Sequence, residues 1–242
     1  GGVLVAVWGV GGVFLLNGIS YVLSALSEVF ISIPVVTKPG PKRKRILSEV
    51  VDGYRFVRSH VTIFGFLRVA AVLNFFAAPF AILLPIITKN VLGRGAESLG
   101  LMTAAFSVGF LLASALLAVL KERERKHPWI ILGIALAGAA MVLMGVFITF
   151  RSYLVLIGSV GVTLGVANIL IMSYIQRVVP DDMRGRVFGF MMTLSGGLQP
   201  IAFAVFGLLA DRVPIPFILW LSGGALVVGG LSLYAVPGMR EI

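Results

Sequence analysis

Apolar residues run through this chain in long blocks and rarely alternate. Stretches long and apolar enough to cross a bilayer as helices, about 20 residues each, occupy 1–33, 61–88, 98–120, 128–150, 152–176, 187–210 and 213–239. Only Glu28 and Arg68 are charged inside them. The pattern predicts an all-α fold, a polytopic membrane helix bundle of seven spans. The first block is too long for one span and too short for two, and Gly9, Gly11 and Gly12 would break it. Residues 1–8 therefore read as the tail of a preceding span and 13–33 as a complete one. A single long tilted helix is the alternative.

The connections carry a second pattern. Residues 34–61 open with Pro34 and the run Lys38-Pro-Gly-Pro-Lys-Arg-Lys-Arg45, an extended basic linker. From Ile46 the period turns helical: Ile46, Leu47, Val50, Val51, Tyr54 and Val57 share one face, and Glu49, Asp52, Arg55 and Ser59 the other. This predicts a short amphipathic helix on the inner leaflet, its basic run drawn to anionic lipid by about 1 kcal/mol per charge. A plain solvated linker is the competing account of the basic run. In Val179-Pro-Asp-Asp-Met-Arg-Gly-Arg-Val187, Pro180 stops one helix, Asp181 or Asp182 is placed to cap the next, and Asp182 and Arg186 stand at the favourable i, i+4 spacing.

Composition agrees with the pattern and narrows it. Hydrophobic residues make up 59% and charged residues 12%, against about 45–50% and about 25% in soluble domains. That excludes a soluble enzyme and a disordered chain. The net charge of +10 would raise nucleic acid as a partner, but the charges sit between apolar blocks and not along one face, so none is expected. Lys38 to Arg45, Arg55, Arg58, the basic residues of 121–126, Arg177, Arg184, Arg186 and Arg240 fall on one side, fifteen in all, against Lys89, Arg94, Arg151 and Arg212 on the other. The rule that basic loops stay inside makes the fifteen-charge side cytoplasmic, in an inner or plasma membrane. There is no cysteine, both histidines (His60 and His127) lie in polar segments, and no basic residue precedes Lys38, so the first apolar block does not read as a signal peptide. A chain that starts at glycine reads as a fragment.

Chemistry is sparse. No metalloprotease, Walker or nucleophile-elbow motif occurs and no paired carboxylates lie in a span, so neither an enzyme, a cofactor nor a metal is expected. Small residues at Ala105, Gly109 and Ala113, and at Gly161 and Gly165, are spaced for close helix contact. Asn74, Asn168 and Gln199 lie near the middle of their spans, where an unpaired amide costs several kcal/mol. They should face the bundle interior or water, as a substrate surface with Phe75 or Phe76, or as glue between helices. By contrast 128–150 and 213–236 carry no such residue and read as lipid-facing and peripheral. Gly196, Gly197 and Pro200, flanking Gln199, predict a bent or broken helix of the kind found at transporter binding sites. Pro79 and Pro85 suggest a second kink. Arg68 is placed either to snorkel to the cytoplasmic interface or to serve a gate.

These residues resemble the major facilitator superfamily of transporters, in the branch of the macrolide-efflux and enterobactin-exporter type. The matching segments are Gly12 to Leu26, Asp52-Gly-Tyr-Arg-Phe-Val-Arg-Ser-His60, Gly165-Val-Ala-Asn168, Gln176 to Gly189, and Gly207-Leu-Leu-Ala-Asp-Arg212. The resemblance implies a twelve-helix protein of two halves that rock about a central site. Residues 1–33 would then close the first half, 34–61 link the halves, and 62–242 form the second. It implies that the seventh, eighth, tenth and eleventh helices line the cavity and the ninth and twelfth do not, the division the polar residues give independently. It also implies gating roles for Asp182, Arg184 and Arg186. The family's charged loop between the eighth and ninth helices would fall at Lys121–His127, where Lys-Glu-Arg-Glu-Arg-Lys lacks the usual spacing of glycine and aspartate. The function implied is export of amphipathic small molecules, with the rest of the protein and the lipid bilayer as partners. An importer of a polar nutrient and a membrane scaffold or sensor are the alternatives.

Overall fold

The computed structural model describes residues 2–30, 46–119 and 126–239. The basic run 38–45 and the charged loop 121–125 lie outside the described residues. The elements are α1 (Gly2–Glu28), α2 (Ile46–Ser59), α3 (Val61–Ile86), α4 (Ala96–Val119), α5 (His127–Met144), α6 (Phe150–Val178), α7 (Asp181–Ala210) and α8 (Ile215–Ser232). A π turn, Ile87–Val91, extends α3, and a 3-10 turn, Leu233–Ala235, extends α8. Among the described residues there is no strand, and seven helices are long and apolar enough to cross a membrane. The eighth helix, α2, is the amphipathic one foreseen between the first two spans.

Local chemistry sets the boundaries. At Gly9 the backbone turns to φ 69°, ψ 172°, a left-handed region open to glycine, and α1 is two helical pieces joined there. The break thus falls at the first glycine of the expected cluster, and the helix resumes at once and ends at Glu28. The apolar block 128–150 divides differently from expectation. Helix α5 stops at Met144, whose carbonyl accepts the Tyr153 hydroxyl at 2.8 Å. Thr149 and Ser152 then form a reciprocal cap that starts α6. Val146, Phe147 and Ile148 are exposed in the turn between, and apolarity alone cannot mark such a turn. Val179, held extended ahead of Pro180 at φ −84°, ψ 122°, ends α6. Pro180 itself starts α7 without a side-chain cap. Asp181 and Asp182 sit in the first turn instead, where they favour the helix dipole but do not cap.

The six helices α3 to α8 pack in a repeating scheme. Helix α3 lies on α7, α4 on α6, and α5 on α8; α3 also meets α8, and α5 meets α6. Exchanging α3, α4 and α5 for α6, α7 and α8 maps the set of pairs onto itself, with α5–α8 unchanged. Three spans per unit reverse the direction of the second relative to the first, so the half is built as an inverted repeat. Glycine makes two of the contacts backbone to backbone. A Cβ on Gly109 would strike the Gly158 carbonyl, and one on Gly161 the Phe106 carbonyl, so α4 and α6 touch along the predicted small-residue ridges. On the other side Gly138 and Gly223 face each other, each notional Cβ within 2.6 Å of the opposite carbonyl oxygen. Helix α1 stands apart, its only substantial packing on α4.

Burial is uneven. Helix α5 is the most buried span and α7 the least buried of the six. Helices α5 and α8 form the back of the half, and each keeps an apolar stripe outward: Leu132, Leu136 and Leu143 on α5, Phe217, Trp220 and Val228 on α8. Their lipid-facing character is therefore confined to one stripe each.

Candidate functional site

The three midplane amides share one property. Asn74, Asn168 and Gln199 are all exposed in this half. Asn74 donates through Nδ2 to the Ala70 carbonyl of its own helix at 2.9 Å. The side chains of Asn168 and Gln199 hydrogen-bond to no described residue, so none of the three amides joins two helices of this half.

Their faces are set by what else packs. Gly65 and Leu73 turn α3 toward α8, against Val236 and Gly229. Asn74 follows Gly65 by about two and a half turns and so projects from the opposite side, away from the back of the half. On α6, Val155, Val162 and Val166 form an apolar stripe. Asn168 is offset from it by about a third of a turn or more. On α7, Ala202 and Phe206 are buried, and Gln199 borders an open face that carries Gly189, Thr193, Gly196 and Pro200.

Phe75 and Phe76 are half-buried and pack on α7. Their ring centroids lie 5.3 and 6.1 Å from that of Phe206 and 5.4 Å from each other. Both rings thus bind α3 to α7 just beside Asn74. Two open depressions lie at the end away from α2. One of about 600 Å³ is edged by Thr88, Lys89, Arg94 and Leu99, and one of about 480 Å³ by Pro214 and Trp220. Neither includes an amide of the trio.

The break foreseen in α7 is absent. The helix runs unbroken through Gly196, Gly197 and Pro200. Pro200 removes the N–H that would bond the Gly196 carbonyl, and a helix buttressed by α3 tolerates that loss. Beyond Pro85, α3 instead relaxes into the π turn Ile87–Val91. Around Gly185, Gly189, Gly196, Gly197 and Gly207, nothing stands within 4 Å of a notional Cβ. Unlike the glycines of α4, α5 and α6, these are not used by any contact described.

Arg68 is exposed, its guanidinium carbon 5.9 Å from the Phe64 ring centroid. Phe64 is one turn nearer the end that carries α2, so the side chain reaches in the snorkelling direction.

At that end the ion pairs differ from expectation. Asp182 does not pair with Arg186. Arg184 takes Asp181 at 2.8 Å and donates to the Gln176 carbonyl at 2.7 Å, which ties α7 to the end of α6. Arg186 turns instead to Asp52 on α2, at 3.7 Å. The reason is the neighbour: α2 lies along this part of α7, and local spacing along one helix cannot anticipate a partner from another. Gly53 of α2 is buried, and a Cβ there would stand 2.6 Å from the Arg186 carbonyl oxygen. Tyr54 meets Phe190, centroids 5.7 Å apart, and Val57 is fully buried. Asp52, Gly53, Tyr54 and Phe190 were not singled out as site residues. The one available signal was a glycine in the middle of an amphipathic helix, a costly choice unless something approaches closely.

Known proteins place this arrangement. The chain is 20% identical over 245 residues to Macrolide efflux protein A of Streptococcus pyogenes, covering 99% of this chain and 60% of that protein. It is 26% identical over 204 residues to Multidrug efflux pump Tap of Mycolicibacterium fortuitum, covering 81% and 48%. It is 24% identical over 246 residues to the uncharacterized MFS-type transporter YfiS of Bacillus subtilis, covering 96% and 57%. The chain thus spans about half to three fifths of these relatives. With an all-helical bundle, seven bilayer-length helices and a match of the Major Facilitator Superfamily profile over residues 1–202, the chain belongs to that superfamily of multi-pass plasma-membrane transporters.

Proposed function

We propose that residues 62–242 form the second half of an exporter of amphipathic small molecules that works by alternating access, with 1–33 closing the first half and 34–61 linking the two. Helices α3, α4, α6 and α7 are then the seventh, eighth, tenth and eleventh of the whole protein, and the end that carries α2 is cytoplasmic. Asn74, Asn168 and Gln199 supply hydrogen bonds to substrate, and the Phe75–Phe76 cluster supplies an apolar edge.

One observation carries this reading. Backbone-to-backbone contact closes α4 on α6 and α5 on α8, and side chains join α3 to α7 and α8, whereas the three amides and the unused glycines of α7 lie exposed. Three exposed amides beside aromatic rings suit a substrate of mixed polarity, since a few placed polar groups orient a ligand that apolar surface retains. The names of the relatives, a macrolide efflux protein and a multidrug efflux pump, point the same way.

The test uses the whole protein, with its upstream half, in inside-out membrane vesicles loaded from outside with ethidium as an amphipathic probe. Energised vesicles should accumulate the dye, the equivalent of efflux from a cell. Dye movement indistinguishable from that of vesicles lacking the protein would refute export of this substrate class, and concentration of a polar nutrient in the opposite sense would establish the importer alternative.

A further inference from the structure

Helix α2 has the composition of a helix that lies on lipid headgroups. In the structure it packs on α7. Three contacts of different chemistry hold it to α7: the Asp52–Arg186 pair at 3.7 Å, the Tyr54–Phe190 ring contact at 5.7 Å, and the seat of Gly53 on the Arg186 carbonyl. The last is the most demanding. Only a residue without a Cβ lets the two backbones approach so closely, and glycine is the worst helix former apart from proline. Its place in the middle of α2 is explained by docking and not by helix formation. The far end of α2 is fixed too, because Phe56 stacks on His60 with centroids 4.2 Å apart and the chain enters α3 at Val61.

We propose that α2 is a latch, a rigid part of the second half clamped to the cytoplasmic third of α7. The joint between the two halves then lies before α2. Movement of the first half is delivered to α2, and from α2 to α7 at Arg186. The stretch of α7 beyond the clamp holds Gly196, Gly197 and Pro200, where one backbone hydrogen bond is missing, so α7 can flex above a fixed foot. Arg186 and Gly53 are positioning residues in this scheme, acting through α7 and not on substrate. The latch rests on the transporter reading above, and its test separates the two.

The first measurement needs no substrate. In the full-length protein in lipid nanodiscs, the amides of residues 51–58 should exchange with deuterium as slowly as those at the start of α3. Gly53→Leu should speed them about tenfold or more and leave α3 to α8 unchanged. The second measurement is ethidium efflux. Asp52→Arg and Arg186→Asp should each lower it about fivefold, the lower end of ordinary coupling between elements. The double reversal should restore it to within about twofold. A lipid-surface helix would exchange as fast in the wild type as in Gly53→Leu, and that result overturns the latch. So does failure of the double reversal to recover efflux in protein whose α2 remains protected. If the wild type moves no ethidium, the export reading fails while the exchange experiment still decides the latch.

Discussion

Gly109 and Gly196 should respond in opposite ways to the same added methyl group. At Gly109 the new Cβ would meet the Gly158 carbonyl, with the Val162 nitrogen 2.9 Å away. Both neighbours are backbone of α6 and cannot rotate aside, so α4 and α6 must separate. Overpacking of this kind costs about 1–3 kcal/mol. Separation also forfeits the close van der Waals contact that holds helices together where lipid supplies no hydrophobic drive. At Gly196 nothing lies within 4 Å, and alanine in a helix is favoured over glycine by about 0.5–1 kcal/mol. The difference between the two variants is about 1.5–4 kcal/mol. Each kcal/mol moves a chain of this size by about 2–4 °C. Purified in detergent and heated with a fluorescent reporter, Gly109→Ala should melt several degrees below the 242-residue parent and Gly196→Ala at or above it. In the full-length protein Gly196→Ala should instead reduce flux, because the open face of α7 then has a partner. Equal destabilisation by both substitutions in the 242-residue chain would refute the packing argument.

Two further outcomes follow from the site and the topology. Gln199→Leu removes an exposed amide that no other helix uses, so it should leave expression unchanged while shifting the ratio of transport rates between amphipathic probes of different polarity; an unchanged ratio counts against Gln199 as a substrate contact. Single cysteines in this cysteine-free chain at Arg58, Arg177 and Arg151 should react with an impermeant reagent in intact cells only at the third, and labelling at either of the others would invert the assigned orientation.

Much of this fold was legible because lipid imposes a simple rule on sequence. Every span had to be apolar for about 20 residues, and charges collect in the connections between spans, so count and order followed. The small-residue ridges of α4 and α6 were legible for a similar reason, since Gly109 and Gly161 at four-residue spacing had few roles other than close contact. Closure between elements was less accessible. Val146, Phe147 and Ile148 are as apolar as any span, yet the Tyr153 hydroxyl and the Thr149–Ser152 cap turn the chain there. Arg186 was assigned to Asp182 from spacing along one helix, whereas Asp52, more than a hundred residues away in sequence, takes it. Gly196-Gly197 and Pro200 carried the signature of a break, but α3 supports α7 through Phe206 and the helix persists. The candidate amides were found by their rarity at depth, and rarity does not reveal which face each occupies.

The acids of the chain limit how this half could drive export. A proton-driven exporter needs a group that titrates during the cycle and is reached from each side in turn, and such groups at membrane depth are scarce and functional. Among the described residues Asp52 lies on α2, Glu97, Asp181 and Asp182 in first turns of helices, and Asp211 just past the end of α7. Glu49, Glu122, Glu124 and Glu241 fall in polar segments of the sequence. That leaves Glu28, the last residue of α1, exposed and followed directly by a turn. A carboxylate at the end of a helix meets water from one side only, so it cannot be offered alternately to both. If export is proton-coupled, the titrating group is then expected in the first half, and α3, α6 and α7 would supply amides and aromatic edges. In the full-length protein, substrate-induced proton release should survive Glu28→Gln with its stoichiometry unchanged. Loss of release in that variant, with substrate binding retained, would make Glu28 the carrier and place the coupling step at the cytoplasmic end of α1.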